Sequence, residues 1–416
     1  MNRLSVVLVA GVVLLLVIAG GAGSFLPQAS GQSYPPITIT PSPIPTATLT
    51  RTPDPTATAA ASVFTIEAAD MVSEYPQGVE YVVRATSSAG DIVRVQVSYR
   101  TREGAATSQS LTWDAARGAW VYFDRRFAPP WYETFYRFRL TDAAGNRLET
   151  KEFVAEYSDP TREWTRYQND QIIVLLYGVR ASLAEDLFTS AATSVALLEE
   201  QYGFALDYRP YVVIVPNLRD FQEWQEYPDP YRVGVTYSDR GYTIQVIDTG
   251  RVDENELVEA TVPHELTHVF QHFIAEARDI PAWFTEGSAT YSERMQDYDY
   301  EARVRRLADQ LPTLQADISL EFPGPDGRIR WTYDVGYTFF KYWVETYGWE
   351  SHRAFWQAQV TMGFYEALEF ATGKPFTDLE NEWRAWIGAP GAAPTLIPTP
   401  TMPPFPTAPG MPTAPG

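Results

Sequence analysis

Between residues 63 and 158, apolar and polar positions alternate with period two in short runs. Val79-Glu80-Tyr81-Val82-Val83-Arg84, Ile92-Val93-Arg94-Val95-Gln96-Val97-Ser98-Tyr99 and Tyr136-Arg137-Phe138-Arg139-Leu140 are the clearest. Successive side chains of a strand point to opposite faces, so each run predicts a strand with one buried and one wet face. Turn residues such as Asp142-Ala143-Ala144-Gly145-Asn146 separate the runs. About seven such strands in this stretch predict an all-β sandwich.

The texture changes after residue 161. Ile172-Ile173-Val174-Leu175-Leu176 and Tyr211-Val212-Val213-Ile214-Val215 are continuous apolar runs, as strands buried on both faces require. Between them, residues 181–202 carry apolar positions at helical spacing up to Gly203, which suits a left-handed cap. Residues 233–237 and 242–248 flank Ser238-Asp239-Arg240-Gly241 as the arms of a hairpin, and from Asp253 to Trp386 the pattern is largely helical. Strands first and helices afterwards predict an α+β fold. In it an N-terminal sandwich (62–158) precedes a mixed region (161–388) with a helical C-terminal half.

Both ends lack this periodicity. Residues 32–61 and 389–416 are dominated by Pro, Thr, Ala and Ser, as in Pro398-Thr399-Pro400-Thr401, and read as a linker and a disordered tail. Arg3 precedes an apolar run over residues 4–18, with weakly apolar sequence beyond it. Residues 1–31 therefore read as a signal peptide or, uncleaved, as a membrane anchor. Either way the remainder is expected outside the cytoplasm, tethered or secreted. A net charge of −20 argues against nucleic acid or an anionic membrane surface as partner. The absence of cysteine excludes disulfides, thiolate zinc ligands and thiol catalysis.

Four histidines occur, and three fall within nine residues: His264-Glu265-Leu266-Thr267-His268, then His272. On a helix, positions i and i+4 share one face, so His264 and His268 can close on one zinc ion with Glu265 beside it as general base. The alternative is a helix with incidentally stacked histidines. Pro263 either starts this helix or kinks one that begins near Asp253. Catalytic zinc takes three protein ligands and keeps one position open, so one more ligand is needed. His272 is a rival, but two consecutive i,i+4 steps cannot converge on one ion; it and the remote His352 read as structural. Glu286, in Trp283-Phe284-Thr285-Glu286-Gly287-Ser288-Ala289, follows His268 after 17 intervening residues, enough for a reversal between two helices.

His-Glu-x-x-His followed by Trp-x-x-Glu-Gly-x-Ala resembles the gluzincin zinc metallopeptidases, and within them the peptidase MA-like families. The resemblance covers about residues 241–388. It implies a thermolysin-like catalytic domain, Zn2+ as cofactor, a peptide or protein substrate, and Glu286 as the third ligand. The stretch from Trp331 to Tyr347-Gly348 resembles the family helix that supplies an oxyanion donor, which points to Tyr333, with Tyr337 as substitute. Gly241-Tyr242-Thr243-Ile244-Gln245-Val246 resembles the edge strand that holds extended substrate; a plain hairpin arm is the alternative. Thr290, one turn after Glu286, stands where some relatives carry the Asp that orients an imidazole. The Gly-x-Met-x-Asn element of the aminopeptidase branch does not occur, which favours endopeptidase action. Residues 136–146 resemble the late strands of fibronectin type III or immunoglobulin-like modules, and a spacer is the preferred role for that module. The expectation is an exported zinc metallopeptidase. The alternatives are an inactive surface binding or adhesion protein on the same fold, and a zinc hydrolase of non-protein amides.

Overall fold

The computed structural model describes residues 42–43, 63–125, 129–224, 234–247, 253–275, 280–294, 298–311, 313–314 and 331–391. After a two-residue strand, β1 (Ser42–Pro43), nine strands follow: β2 (Phe64–Glu74), β3 (Gly78–Ser87), β4 (Ile92–Arg100), β5 (Thr107–Ser110), β6 (Thr112–Asp114), β7 (Ala119–Asp124), β8 (Tyr132–Asp142), β9 (Arg147–Glu149) and β10 (Phe153–Tyr157). They make two antiparallel sheets, β2-β3-β7-β6 and β10-β8-β4-β5, with β9 on β8. The period-two runs place one apolar face of each sheet against the other. Tyr81 of the first sheet lies 4.9 Å from Tyr99 and 5.5 Å from Tyr136 of the second, ring centre to ring centre.

A third sheet carries the mixed region, built from β11 (Thr165–Gln168), β12 (Ile173–Leu176), β13 (Tyr211–Val215), β14 (Gly234–Tyr237) and β15 (Tyr242–Val246). Its order is β1-β11-β12-β13-β15-β14. Strands β12, β13 and β15 are parallel, whereas β14 pairs antiparallel with β15. Parallel neighbours cannot be joined by a hairpin. Helix α1 (Ala181–Tyr202) supplies the crossover from β12 to β13, and Gly203 ends it in the left-handed region at φ 77°. The short α2 (Leu218–Glu223) follows β13.

The rest is helical: α3 (Glu254–Glu256), a π turn (Leu257–Thr261), α4 (Val262–Ala275), α5 (Ala282–Tyr291), α6 (Tyr300–Arg306), α7 (Trp331–Gln359), α8 (Phe364–Thr372) and α9 (Phe376–Ile387). Gly348, at φ 75°, breaks α7 into two segments. The α+β order expected from the pattern is the order found. Among the described residues no helix is long and apolar enough to cross a membrane. The apolar run over residues 4–18 and nearly all of both Pro/Thr-rich tracts lie outside the described residues.

The sandwich is docked on the third sheet. Tyr132 stacks on Tyr242 at 5.8 Å, Arg240 lies 5.2 Å over the Tyr132 ring, and Trp131 packs edge-on against Trp164 at 5.1 Å. The Glu103 amide donates to the Asp239 carbonyl in the β14–β15 turn, 3.2 Å away.

Candidate metal centre

Helix α4 carries the histidine motif, and its start shows how Pro263 is accommodated. A regular helix would bond the residue 263 amide to the Glu259 carbonyl, a bond proline cannot make. The chain passes through the π turn just before Pro263, and Glu259 O accepts instead from the Arg294 amide at 2.6 Å. Helix therefore runs on from Glu254 through the proline, with π geometry absorbing the misfit. His264 and Glu265 are 4% and 1% exposed, and the two motif imidazoles stand 5.0 Å apart.

Helix α5 brings Glu286 to the same point. Its approach depends on two glycines. A Cβ on Gly287 would lie 2.2 Å from the Gly336 carbonyl carbon, and one on Gly336 would lie 1.9 Å from the Trp283 carbonyl oxygen. The backbones of α5 and α7 thus touch directly beside Glu286. Gly336→Ala is expected to force the helices apart at a cost on the order of 1–3 kcal/mol and to displace Tyr333, one turn away. Thermal unfolding and peptide cleavage would both register it; wild-type values for both would show that the contact yields freely.

Glu286 Oε2 lies 3.2 Å from His264 Nε2 and 3.4 Å from His268 Nε2. All three ligand atoms lie within 4.8 Å of one another. Ligands about 2.0–2.1 Å from a tetrahedral ion are separated by about 3.3 Å, so the donor set fits zinc in type and in spacing. Two buried polar atoms at the cluster lack hydrogen-bond partners: His268 Nε2 and Glu265 Oε1. Buried atoms of this kind are nearly always satisfied, so a ligand is indicated.

The electrostatics favour a cation at the same point. Burial pulls the His264 imidazole down, but hydrogen bonds to Glu286 and Glu293 outweigh it and hold it at about 10. His268 is raised too, burial being outweighed by attraction to Glu286. Burial pushes the Glu286 carboxyl up, yet the paired histidines bring it well below its ordinary 4.5. These shifts fix a pH signature for metal-free protein. The His264 contribution to stability is complete below its ordinary 6.5 and is lost as pH rises through about 10. The Glu286 contribution is present above 4.5 and is lost as pH falls. Metal-free protein should therefore draw most stability from this cluster between about pH 4.5 and 6.5, whereas zinc-loaded protein should keep it above that range. Denaturant unfolding with and without zinc across pH checks this, and parallel profiles would contradict it.

The outer nitrogens of both imidazoles are held. His264 Nδ1 lies 2.9 Å from Glu293 Oε1, and Tyr300 OH donates to the other oxygen of Glu293 at 3.1 Å. His268 Nδ1 lies 2.9 Å from Gln271 Oε1. The Gln271 amide nitrogen donates to the Thr285 carbonyl at 2.9 Å, so its oxygen must face the imidazole. Both histidines therefore keep Nδ1–H on these outer partners and turn Nε2 towards Glu286; on losing the Nε2 proton each would offer that nitrogen to a metal. Neither partner was evident in the sequence. Gln271 lies one turn past His268, and Glu293 two turns past Glu286 rather than one. The Arg294 guanidinium holds that segment, bonding Glu259 at 2.9 Å and Ser194 at 2.8 Å.

Residues 190–389 match the family model of the Peptidase MA superfamily. The match takes in α4, α5 and α7, and with them His264, Glu265, His268, Glu286 and Tyr333. No curated protein matches the sequence. Among solved structures, an M1 zinc metallopeptidase from Deinococcus radiodurans is similar at 12% identity and TM-score 0.35, covering 81% of this chain and 96% of that one. Aminopeptidase A of Legionella pneumophila, in complex with aspartic acid, is similar at 11% identity and TM-score 0.32, covering 80% of this chain and 50% of that one. A family 56 carbohydrate-binding module, a beta-1,3-glucan binding domain, is similar at 20% identity and TM-score 0.18, covering 22% of this chain and 98% of that one. Likenesses this weak carry no weight beside the site itself.

Within the Peptidase MA match, the two candidate tyrosines separate. Tyr333 is buried and stacks on His264, ring centres 6.0 Å apart. Tyr337 stacks instead on Tyr300 at 4.6 Å and packs near Tyr291, away from the ligands. His272 bonds Glu103 of the sandwich at 2.6 Å and takes no part in the cluster. His352 is buried, with Nδ1 against the Gln201 carbonyl and Nε2 accepting from Trp356; burial lowers it to about 3, so it stays a neutral packing group.

The substrate-strand expectation for Gly241, Tyr242 and Thr243 is corrected. Gly241 is a left-handed cap at φ 70°, and Tyr242–Val246 forms β15, buried between β13 and β14. A strand with ladder partners on both sides cannot accept another. The edge, among the described residues, is β14, and it lies on the motif helix. Thr236 bonds the Glu265 carboxylate, and a Cβ on Gly234 would sit 2.7 Å from Glu265 Oε1.

Proposed function

We propose that this chain is a zinc-dependent metallopeptidase that hydrolyses peptide bonds, and that it acts outside the cytoplasm. The observation that carries the reading is the convergence of His264, His268 and Glu286 beside a buried Glu265 oxygen without a partner. His264, His268 and Glu286 would hold zinc, which supplies a Lewis acid and makes water a nucleophile near neutral pH. Glu265 Oε1 accepts the proton of the attacking water and returns it to the leaving amine. Tyr333, beside His264, is the candidate donor to the tetrahedral oxyanion. An extended substrate adding to the open edge of β14 would carry its scissile carbonyl past Glu265.

Endopeptidase action is the finer part of the proposal, supported by the lack of a Gly-x-Met-x-Asn element in the sequence. Export rests on the apolar run after Arg3. The test is metal content together with cleavage-site profiling of the purified protein. One zinc per chain and chelator-sensitive internal cleavage are expected. Stoichiometric zinc with no cleavage across a broad peptide library would favour an inactive binding protein, and absence of zinc would sink the reading.

A further inference from the structure

The hairpin face towards α4 is unusually polar for a buried surface. Thr236 of β14 stands opposite Thr243 of β15, and Gly234 stands opposite Gln245, so these four positions share one face. Thr243 and Gln245 are fully buried, and the Gln245 amide donates to Thr243 Oγ1 at 3.1 Å. Burying polar side chains costs free energy unless their bonds are met. Apolar residues would cover α4 at lower cost, so the polarity points to a task.

We infer that Thr236 is a positioning residue for Glu265, fixing which carboxylate oxygen faces the reaction. Its hydroxyl is near both Glu265 Oε2 and, at 3.2 Å, the Glu265 carbonyl; the carboxylate is the nearer acceptor and takes the single hydrogen. Two atoms on Cβ restrict the threonine rotamer, which keeps the hydroxyl aimed. Gly234 completes the clasp: lacking a side chain, it lets β14 lie against the carboxylate, close to Oε1. Oε2 is tied to the Thr236 hydroxyl, whereas Oε1, buried without a hydrogen-bond partner, is left to accept a proton. Rotation of the carboxylate is thereby suppressed, and the base is held ready before substrate arrives. Strand β14 would then serve twice, as the edge that receives substrate and as the support of the base.

This rests on the proposed role of Glu265, and the experiment separates the two. Five proteins are compared: wild type, Thr236→Val, Thr236→Ser, Glu265→Gln, and Thr236→Val combined with Glu265→Gln. Thr236→Val keeps the shape and removes the hydroxyl. It is expected to lower kcat about 10- to 100-fold, the loss of one hydrogen bond to a charged group, with KM and zinc stoichiometry unchanged. Thr236→Ser restores most of the rate. In the Glu265→Gln background, Thr236→Val costs nothing further, and it lowers the unfolding midpoint less there than in wild type. Wild-type kcat in Thr236→Val, a serine variant as impaired as valine, or an equal further loss in the Glu265→Gln background would each overturn the inference. Full activity in Glu265→Gln alone would instead remove the functional reading beneath it.

Discussion

Glu265→Gln is expected to lower kcat by about 10²- to 10⁴-fold, the usual contribution of a positioned general base, while one zinc per chain is retained. The substitution keeps the shape of a side chain that is 1% exposed, so the fold should not change. It also keeps an oxygen that can accept from Thr236. What it removes is the capacity to take a proton. The proposed metal ligands are untouched, because Glu265 contributes no atom to the His264, His268, Glu286 group. Metal analysis, KM and kcat measured on one preparation separate the effects: the expected pattern is normal zinc, near-normal KM and a collapsed kcat. A kcat within a few-fold of wild type would mean that another group accepts the proton.

Glu286→Ala should have the larger effect on metal. Losing a residue that only supports a ligand costs about 10- to 100-fold in metal affinity, and loss of a ligand itself should exceed that. Two buried imidazoles would then face each other without the carboxylate that holds them. Chelator competition measures the affinity, and cleavage in excess zinc shows whether activity returns. Wild-type affinity would show that a different carboxylate completes the site. Glu293 also bonds His264, but through Nδ1, whose hydrogen it already takes.

Much of the fold was legible because its determinants are local. Helix α1 runs to Tyr202 with Gly203 as its cap, and β13 covers the apolar run Tyr211–Val215, as the pattern placed both. The hairpin turn at Ser238–Arg240 followed from Gly241 in the same way. His264 and His268 were legible for a related reason: four residues along a helix is a fixed displacement, so spacing alone sets two ligands on one face. Strand order was not legible. The resemblance made Gly241–Val246 the edge strand, but β15 is interior and β14 takes the edge. Glu293 and Gln271 were missed because a partner for an imidazole is set by where a neighbouring helix ends. The Glu103–His272 contact joins residues 169 apart, and no local pattern announces it.

The sequence by itself determined the elements, the α+β order, the acidic and cysteine-free chemistry, and a pair of histidines flanking a carboxylate. Those features depend on periodicity and short spacing, which the chain carries wherever it folds. Tertiary structure decided which carboxylates meet the histidines, which tyrosine stands beside them and which strand touches the base. Each of those depends on the close crossing of α5 and α7 at Gly287 and Gly336, and on the seating of β14 against α4. Packing between distant segments sets such distances, and no repeat along the chain encodes them.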